Sequence, residues 1–278
     1  MSLLDKITGI SSEPENKFYI FMGLPGSGKT TVAGTFPKPM LYVTIGDDGG
    51  GTVLKGYSDK EVQVLHIKSD EEGLSHKKIQ QLLSELKTNN KYKSVVFDAW
   101  TSIQEEMELY FTKAKGMKLN FDEWDAIGKE LLTCRDMIVS LSREQDCVYV
   151  AICHVKDKEC KDTLSDESET RLIPKMTSNN GKILLERAKV VAYCCRKTVR
   201  NDDGEKEVKF LTYLGAHPNI DTKFRTSSRI FDGVGTYIEN CTYDKICELE
   251  KSGKVEDKKL DVVETKKNPF EDEGGSEW

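Results

Sequence analysis

Apolar residues cluster in short runs separated by polar or glycine-rich breaks. Phe18-Tyr19-Ile20-Phe21-Met22, Met40-Leu41-Tyr42-Val43, Val62 to Ile67, Ser94-Val95-Val96-Phe97-Asp98 and Cys147 to Cys153 are each four to seven residues long. Runs this short, rich in β-branched and aromatic residues, predict strands of a largely buried parallel sheet. The stretches between them repeat at helical spacing. Leu74, Ile79, Leu82, Leu83 and Leu86 predict a helix over 70–88, and two more are expected over 101–115 and 122–144. Pro37 and Pro39 end a short helix that opens at Thr30. Strands alternating with helices predict an α/β fold, a mostly parallel sheet flanked by helices.

The second half changes character. Residues 156–181 are polar, with Asp and Glu dense from 157 to 169, and are expected to be a mobile loop. Residues 188–195 predict a strand. Asn201-Asp202-Asp203-Gly204 predicts a hairpin turn into 208–213, so antiparallel strands should finish the sheet at its C-terminal edge. A last helix is expected over 243–251. The resulting division is a leader over 1–16, a core over 17–253 and a flexible acidic tail over 254–278.

The chemistry centres on Gly23-Leu24-Pro25-Gly26-Ser27-Gly28-Lys29-Thr30-Thr31, which fits G-x-x-x-x-G-K-[ST] at every fixed position. Its context, strand before and helix after, is the one in which this motif binds nucleotide. The glycines let successive backbone N–H groups turn into one hollow around phosphate oxygens. Lys29 would neutralise the β- and γ-phosphates of ATP, and the Thr30 hydroxyl would ligate Mg²⁺.

Four further features could complete the site. Asp98 ends a core strand, where a carboxylate reaches the metal; an acid capping the next helix is the ordinary alternative. Asp47 and Asp48 follow the second strand, and either could polarise the attacking water. His154 ends the fifth strand, at the carboxyl edge where ligands bind in open α/β sheets. Lys223, Arg225 and Arg229 form a late basic cluster. It could reach a neighbouring subunit's phosphates, hold a DNA backbone, or simply face solvent.

Composition narrows the function. The chain has 278 residues, 37% of them hydrophobic, and a formal charge of −6, so a generally basic, nucleic-acid-coating protein is excluded. Any DNA contact must be local. No apolar run approaches the length of a membrane span, which predicts no membrane partner. Eight scattered cysteines without a C-x-x-C pair fit a reducing cytoplasm. Cys153, His154 and Cys160 are the one combination that could suggest zinc, and it lacks a second pair.

The motif order, 23–31, then Leu41-Tyr42-Val43 with Asp47-Asp48-Gly49-Gly50, then Val95-Val96-Phe97-Asp98, then Ile152-Cys153-His154-Val155-Lys156, resembles that of phage RecA-like AAA-family ATPases. These include single-strand-annealing recombinases with little more than a RecA core. The resemblance implies a RecA-like P-loop NTPase fold, with ATP and Mg²⁺ bound between subunits of a ring or filament. It implies action on single-stranded DNA in phage recombination or replication, in the host cytoplasm. On it, Lys29 and Thr30 are the Walker A pair, Asp98 is the Walker B acid, and His154 stands where relatives carry a polar γ-phosphate sensor. Lys223 and Arg225 are similar to a Lys-x-Arg finger inserted into a neighbour's site. Relatives place a glutamate after the second strand, where this chain has the shorter Asp47 and Asp48.

Residues 156–181 carry no aromatic for stacking, so DNA contact there would run through Lys156, Lys158, Lys161, Arg171 and Lys175. The tail from Asn268 to Trp278 resembles the acidic tips of single-stranded-DNA-binding proteins, which implies such a protein as a partner. Two other activities fit a P-loop. A kinase of a small acceptor would need a lid of arginines, and 156–181 has only Arg171. A non-hydrolysing switch would bind ATP without turnover.

Overall fold

The computed structural model describes residues 14–46, 54–71, 73–116, 118–161, 168–200, 205–215, 217, 219–225 and 237–252. Asp47, Asp48, Arg229, the turn at 201–204 and the tail lie outside the described residues, as does most of the leader. The strands are β1 (Phe18–Met22), β2 (Met40–Ile45), β3 (Val62–Ile67), β4 (Ser94–Asp98), β5 (Val148–Cys153), β6 (Val155–Lys161), β7 (Ser168–Pro174), β8 (Val190–Arg200), β9 (Lys206–Tyr213), β10 (Lys223–Phe224) and β11 (Tyr237–Glu239). The helices are α1 (Lys29–Gly34), α2 (Ser75–Thr88), α3 (Trp100–Lys115), α4 (Phe121–Glu144), α5 (Ser178–Glu186) and α6 (Tyr243–Ser252).

Nine strands form one sheet in the order β11-β9-β8-β1-β5-β4-β2-β3, with β10 also paired to β8. From β8 to β3 all neighbours run parallel, whereas β9, β10 and β11 are antiparallel to the strands they pair with. This is the expected α/β architecture, a mostly parallel sheet with antiparallel strands at one side. Strand β1 sits near the middle, between β5 and β8, and every one of its residues is buried.

Its alternating side chains feed two cores. Phe18, Ile20 and Met22 pack with Phe97, Trp100 and Ile127 beneath α2 to α5; Tyr19 and Phe21 pack with Val32, Phe36 and Ile246 beneath α1 and α6. Burying an aromatic such as Phe21 contributes about 1.5–3 kcal/mol, which makes the strand under the glycine loop a rigid base. Helix α4 begins with a capping box: the Asn120 side chain accepts from Asp122 and Glu123 amides while Glu123 reaches back to the Asn120 amide.

Three regions depart from the sequence expectation. Much of 156–181 is ordered secondary structure. The antiparallel pair β6–β7 runs in register from Val155↔Pro174 to Lys161↔Ser168, and α5 follows it. Because the hairpin is a separate two-stranded sheet, its strands lack the strict apolar alternation that a half-buried strand shows. Second, the strand expected over 188–195 runs on to Arg200. Its polar outer half is held by full pairing with β9, from Tyr193↔Tyr213 to Arg200↔Lys206. Helix α2 begins later than expected, at Ser75, because Asp70 and Gly73 form a tight bridge ahead of it.

Candidate active site

The glycine loop leaves β1 at its carboxyl end and returns as α1. Gly26 and Gly28 take positive φ values of 73° and 89°, which a residue with a Cβ adopts only at a cost. Gly23 is required for a different reason. A Cβ there would collide with the Cys194 carbonyl oxygen and lie 2.5 Å from Ser27 Oγ. The Gly23 amide donates to the Cys153 carbonyl at 3.2 Å, so the loop is anchored to β5 and packs closely against β8.

Lys29 is 6% exposed, and its Nζ donates to the carbonyl oxygens of Gly23 and Leu24, at 2.9 and 2.8 Å. The ammonium is thus held inside the curl of its own loop. The flanking thiols carry no competing charge beside it. Burial pushes Cys194 up to about 12 and Cys153 higher still, so both stay protonated.

Asp98 follows the same parity as Val96, which places its carboxylate on the α1 side of the sheet. There Thr30 Oγ1 donates to Asp98 Oδ2 at 3.2 Å, and the Tyr42 hydroxyl donates to the same oxygen in a short contact. The Asp98 carboxylate is 5% exposed. A buried carboxylate bridged to the P-loop threonine is the donor set of a magnesium site. A further fit comes from Ser27, whose buried Oγ has no hydrogen-bond partner among the described residues. Such an orphan hydroxyl in a glycine loop is satisfied when phosphate oxygens fill the hollow. The residues present therefore fit a nucleoside triphosphate with Mg²⁺, held by Lys29, Thr30 and Asp98.

A family model described as AAA domain matches residues 15–226. The chain belongs to the AAA domain family. The match spans β1, the glycine loop, Asp98 and His154, all within this AAA-type P-loop ATPase domain. A search of the curated proteins finds no match.

Other expected residues fall around this AAA core in distinct places. His154 directly follows Cys153 at the carboxyl edge. Its amide donates to Thr101 Oγ1 at 3.4 Å, and its carbonyl accepts from the Lys175 amide at 2.8 Å. It is thereby joined to α3 on one side and to the end of β7 on the other. Lys156 and Arg171 lie in the β6–β7 hairpin, and Lys175 pairs with Glu105 of α3 at 2.9 Å.

Lys223 and Arg225 sit elsewhere within the chain. Lys223 Nζ donates to the Leu185 and Glu186 carbonyls at 2.5 and 3.0 Å, and Arg225 donates to Glu186 O at 3.0 Å, capping the end of α5. Lys223 pairs with Val191 at the start of β8, away from the carboxyl edge that holds the glycine loop. Among the described residues no group of three or more His, Cys, Asp or Glu could hold a metal, so Cys153, His154 and Cys160 do not make a zinc site. No described helix is long and apolar enough to cross a membrane.

Sequence reasoning missed Tyr42 and Thr101. Tyr42 reads as one more apolar residue of a core strand, and only the diagonal step from β2 to β4 brings its hydroxyl to Asp98.

Proposed function

We propose that this AAA domain protein binds ATP with Mg²⁺, hydrolyses the terminal anhydride, and couples that turnover to single-stranded DNA as a homo-oligomer. The hydrogen bond from Thr30 to Asp98 carries the ATPase half, because it joins the Walker A hydroxyl and the strand-end acid in one magnesium site. Mg²⁺ would supply charge stabilisation at the β- and γ-phosphates. Lys29 leaves the Gly23 and Leu24 carbonyls and donates to phosphate oxygens, neutralising charge that builds on the leaving group. Tyr42, donating to Asp98 Oδ2, orients that carboxylate. Asp47 or Asp48 is the proposed water-orienting acid. His154, one residue past the loop's anchor at Cys153, is the proposed sensor that links phosphate state to β6–β7.

The DNA half is supported by how β6–β7 sorts its charges. Lys156 and Lys158 share a face with Arg171, whereas Asp157 and Glu159 point to the other. Glu169 stays on the cationic face and pairs with Arg171 at 3.7 Å, so of the described hairpin acids only Asp157 and Glu159 are turned away from it. With Lys175 and Arg229 as further candidates, that face would track a phosphate backbone. Lys223 and Arg225 remain proposed as cations presented to a neighbouring subunit, the acidic tail as a site for a single-stranded-DNA-binding protein, and the host-cell cytoplasm in phage recombination or replication as the setting.

The test is ATP turnover at low salt with and without single-stranded DNA, on the wild type and on Lys29→Ala. Turnover that DNA stimulates and Lys29→Ala lowers by about 100-fold or more is expected. Turnover indifferent to DNA would remove the DNA half, and tight ATP binding without turnover would leave a switch.

A further inference from the structure

The structure assigns a second wall to the nucleotide site: we propose that the β8–β9 hairpin holds the nucleoside triphosphate in cis, with Phe210 supporting the base and Arg196 contacting the phosphates. This deepens the ATP-binding proposal and rests on it.

The wall follows from strand length. Strand β1 stops at Met22, which pairs with Tyr193, but β8 continues for seven more residues, and β9 pairs with it to the end. The hairpin therefore rises past the carboxyl edge of the parallel sheet, directly beside the glycine loop. On one of its faces stand the opposed pairs Cys194↔Thr212, Arg196↔Phe210 and Thr198↔Val208. The first pair is buried in the core under α1; the second lies against the loop.

The contact is close. A Cβ at Gly28 would lie 3.3 Å from Phe210 Cδ1, and one at Gly26 would lie 3.9 Å from Arg196 Nη1. Phe210 is nevertheless 41% exposed and belongs to neither hydrophobic core. Val208, two residues on, continues the same exposed apolar strip away from the loop. A half-exposed aromatic beside a phosphate loop, with an apolar strip leading outward, suits the π-face of a nucleobase. A guanidinium opposite it, over the loop, suits phosphate oxygens, for which its planar fork provides paired donors.

The experiment is equilibrium binding to the full chain with Mg²⁺, using ATP and inorganic tripolyphosphate as probes. Proteins are the wild type, Lys29→Ala, Phe210→Ala and Arg196→Ala. Phe210→Ala is expected to raise Kd for ATP about tenfold and to leave tripolyphosphate within about twofold, because only ATP has a base to stack. Arg196→Ala is expected to raise both about tenfold, since both ligands present the phosphates.

Tripolyphosphate binding by Phe210→Ala also reports that the variant is folded. If both hairpin variants bind ATP within about twofold of the wild type while Lys29→Ala does not, the wall is wrong and the ATP site stands. If Phe210→Ala weakens both probes equally, the ring merely props the loop, which also overturns the base assignment. If the wild type binds no ATP, or Lys29→Ala binds it equally well, the ATP proposal itself fails and takes the wall with it.

Discussion

Two antiparallel hairpins leave the carboxyl edge of the sheet, one on either side of the strand that carries the glycine loop. The β8–β9 hairpin is a continuation of the main sheet, and its inner pairs are part of the cores on both faces of it. The β6–β7 hairpin starts after β5, forms its own two-stranded sheet, and touches the body through α5 and the ends of its strands. The first brings an aromatic ring and a guanidinium against the loop; the second groups Lys156, Lys158 and Arg171 on one face, beside Glu169. A hairpin continuous with the core can hold a side chain against a loop at van der Waals distance. One that stands apart is suited to a longer, less exacting ligand such as a polymer backbone. On the two proposals, short-range recognition would fall to the rigid extension and charge-based contact to the separate one.

The largest effect should come from a methyl group at the near hairpin. Gly28→Ala adds a Cβ 3.3 Å from Phe210 at a φ of 89°. A strained backbone of this kind costs about 1–3 kcal/mol, so ATP affinity measured by titration should fall by about 5- to 150-fold. An equally large loss at a glycine beside the far hairpin would erase the contrast. Gly181 in α5 provides that control: a Cβ there meets the Pro174 ring of β7 at 3.6 Å, an ordinary contact. Gly181→Ala should raise thermal stability by up to about 1 kcal/mol and leave ATP affinity unaltered.

A smaller effect distinguishes the far hairpin. Replacing Lys156 and Arg171 together with alanine should weaken single-stranded DNA binding about tenfold at low salt. It should also reduce the slope of log affinity against log salt by about 1 to 1.5. A loss of affinity with an unchanged slope would mean that these side chains do not meet phosphates.

The smallest effect concerns how the two hairpins are joined at their bases. Lys223, alongside the start of β8, caps α5, which follows β7. Burial, and then the neighbouring Arg225 charge, pulls its ammonium down to about 8. From about pH 8 to about pH 10.5 the unfolded chain holds a proton that the folded chain has released, so folding stability should rise with pH across that window. The rise is modest because the group is only half buried. Lys223→Met should flatten it in urea midpoints measured across the same range, and an unaltered slope would assign it to other groups.

The amino-acid sequence by itself determined the α/β class, the order of the parallel strands along the chain, and the nucleotide loop. Those features rest on local signals: apolar runs bounded by turns, and glycines at positions where the backbone must curl around phosphate. It also singled out Asp98, because an acid ending a fully apolar strand is conspicuous without any partner in view. Tertiary structure alone decided what surrounds that acid. Tyr42 and Thr30 reach it from 56 and 68 residues away, and no local pattern marks a hydroxyl that will face a carboxylate across a sheet.

The same holds for the two hairpins. Residues 156–181 read as a loop because a strand pair standing outside the core has no buried face to impose apolar alternation. Pairing across β6–β7 is what brings Lys156, Lys158 and Arg171 to one face. Phe210 reads as an ordinary strand aromatic. Only the extension of β8 past β1, a matter of where one strand stops and its neighbour does not, sets that ring against Gly28.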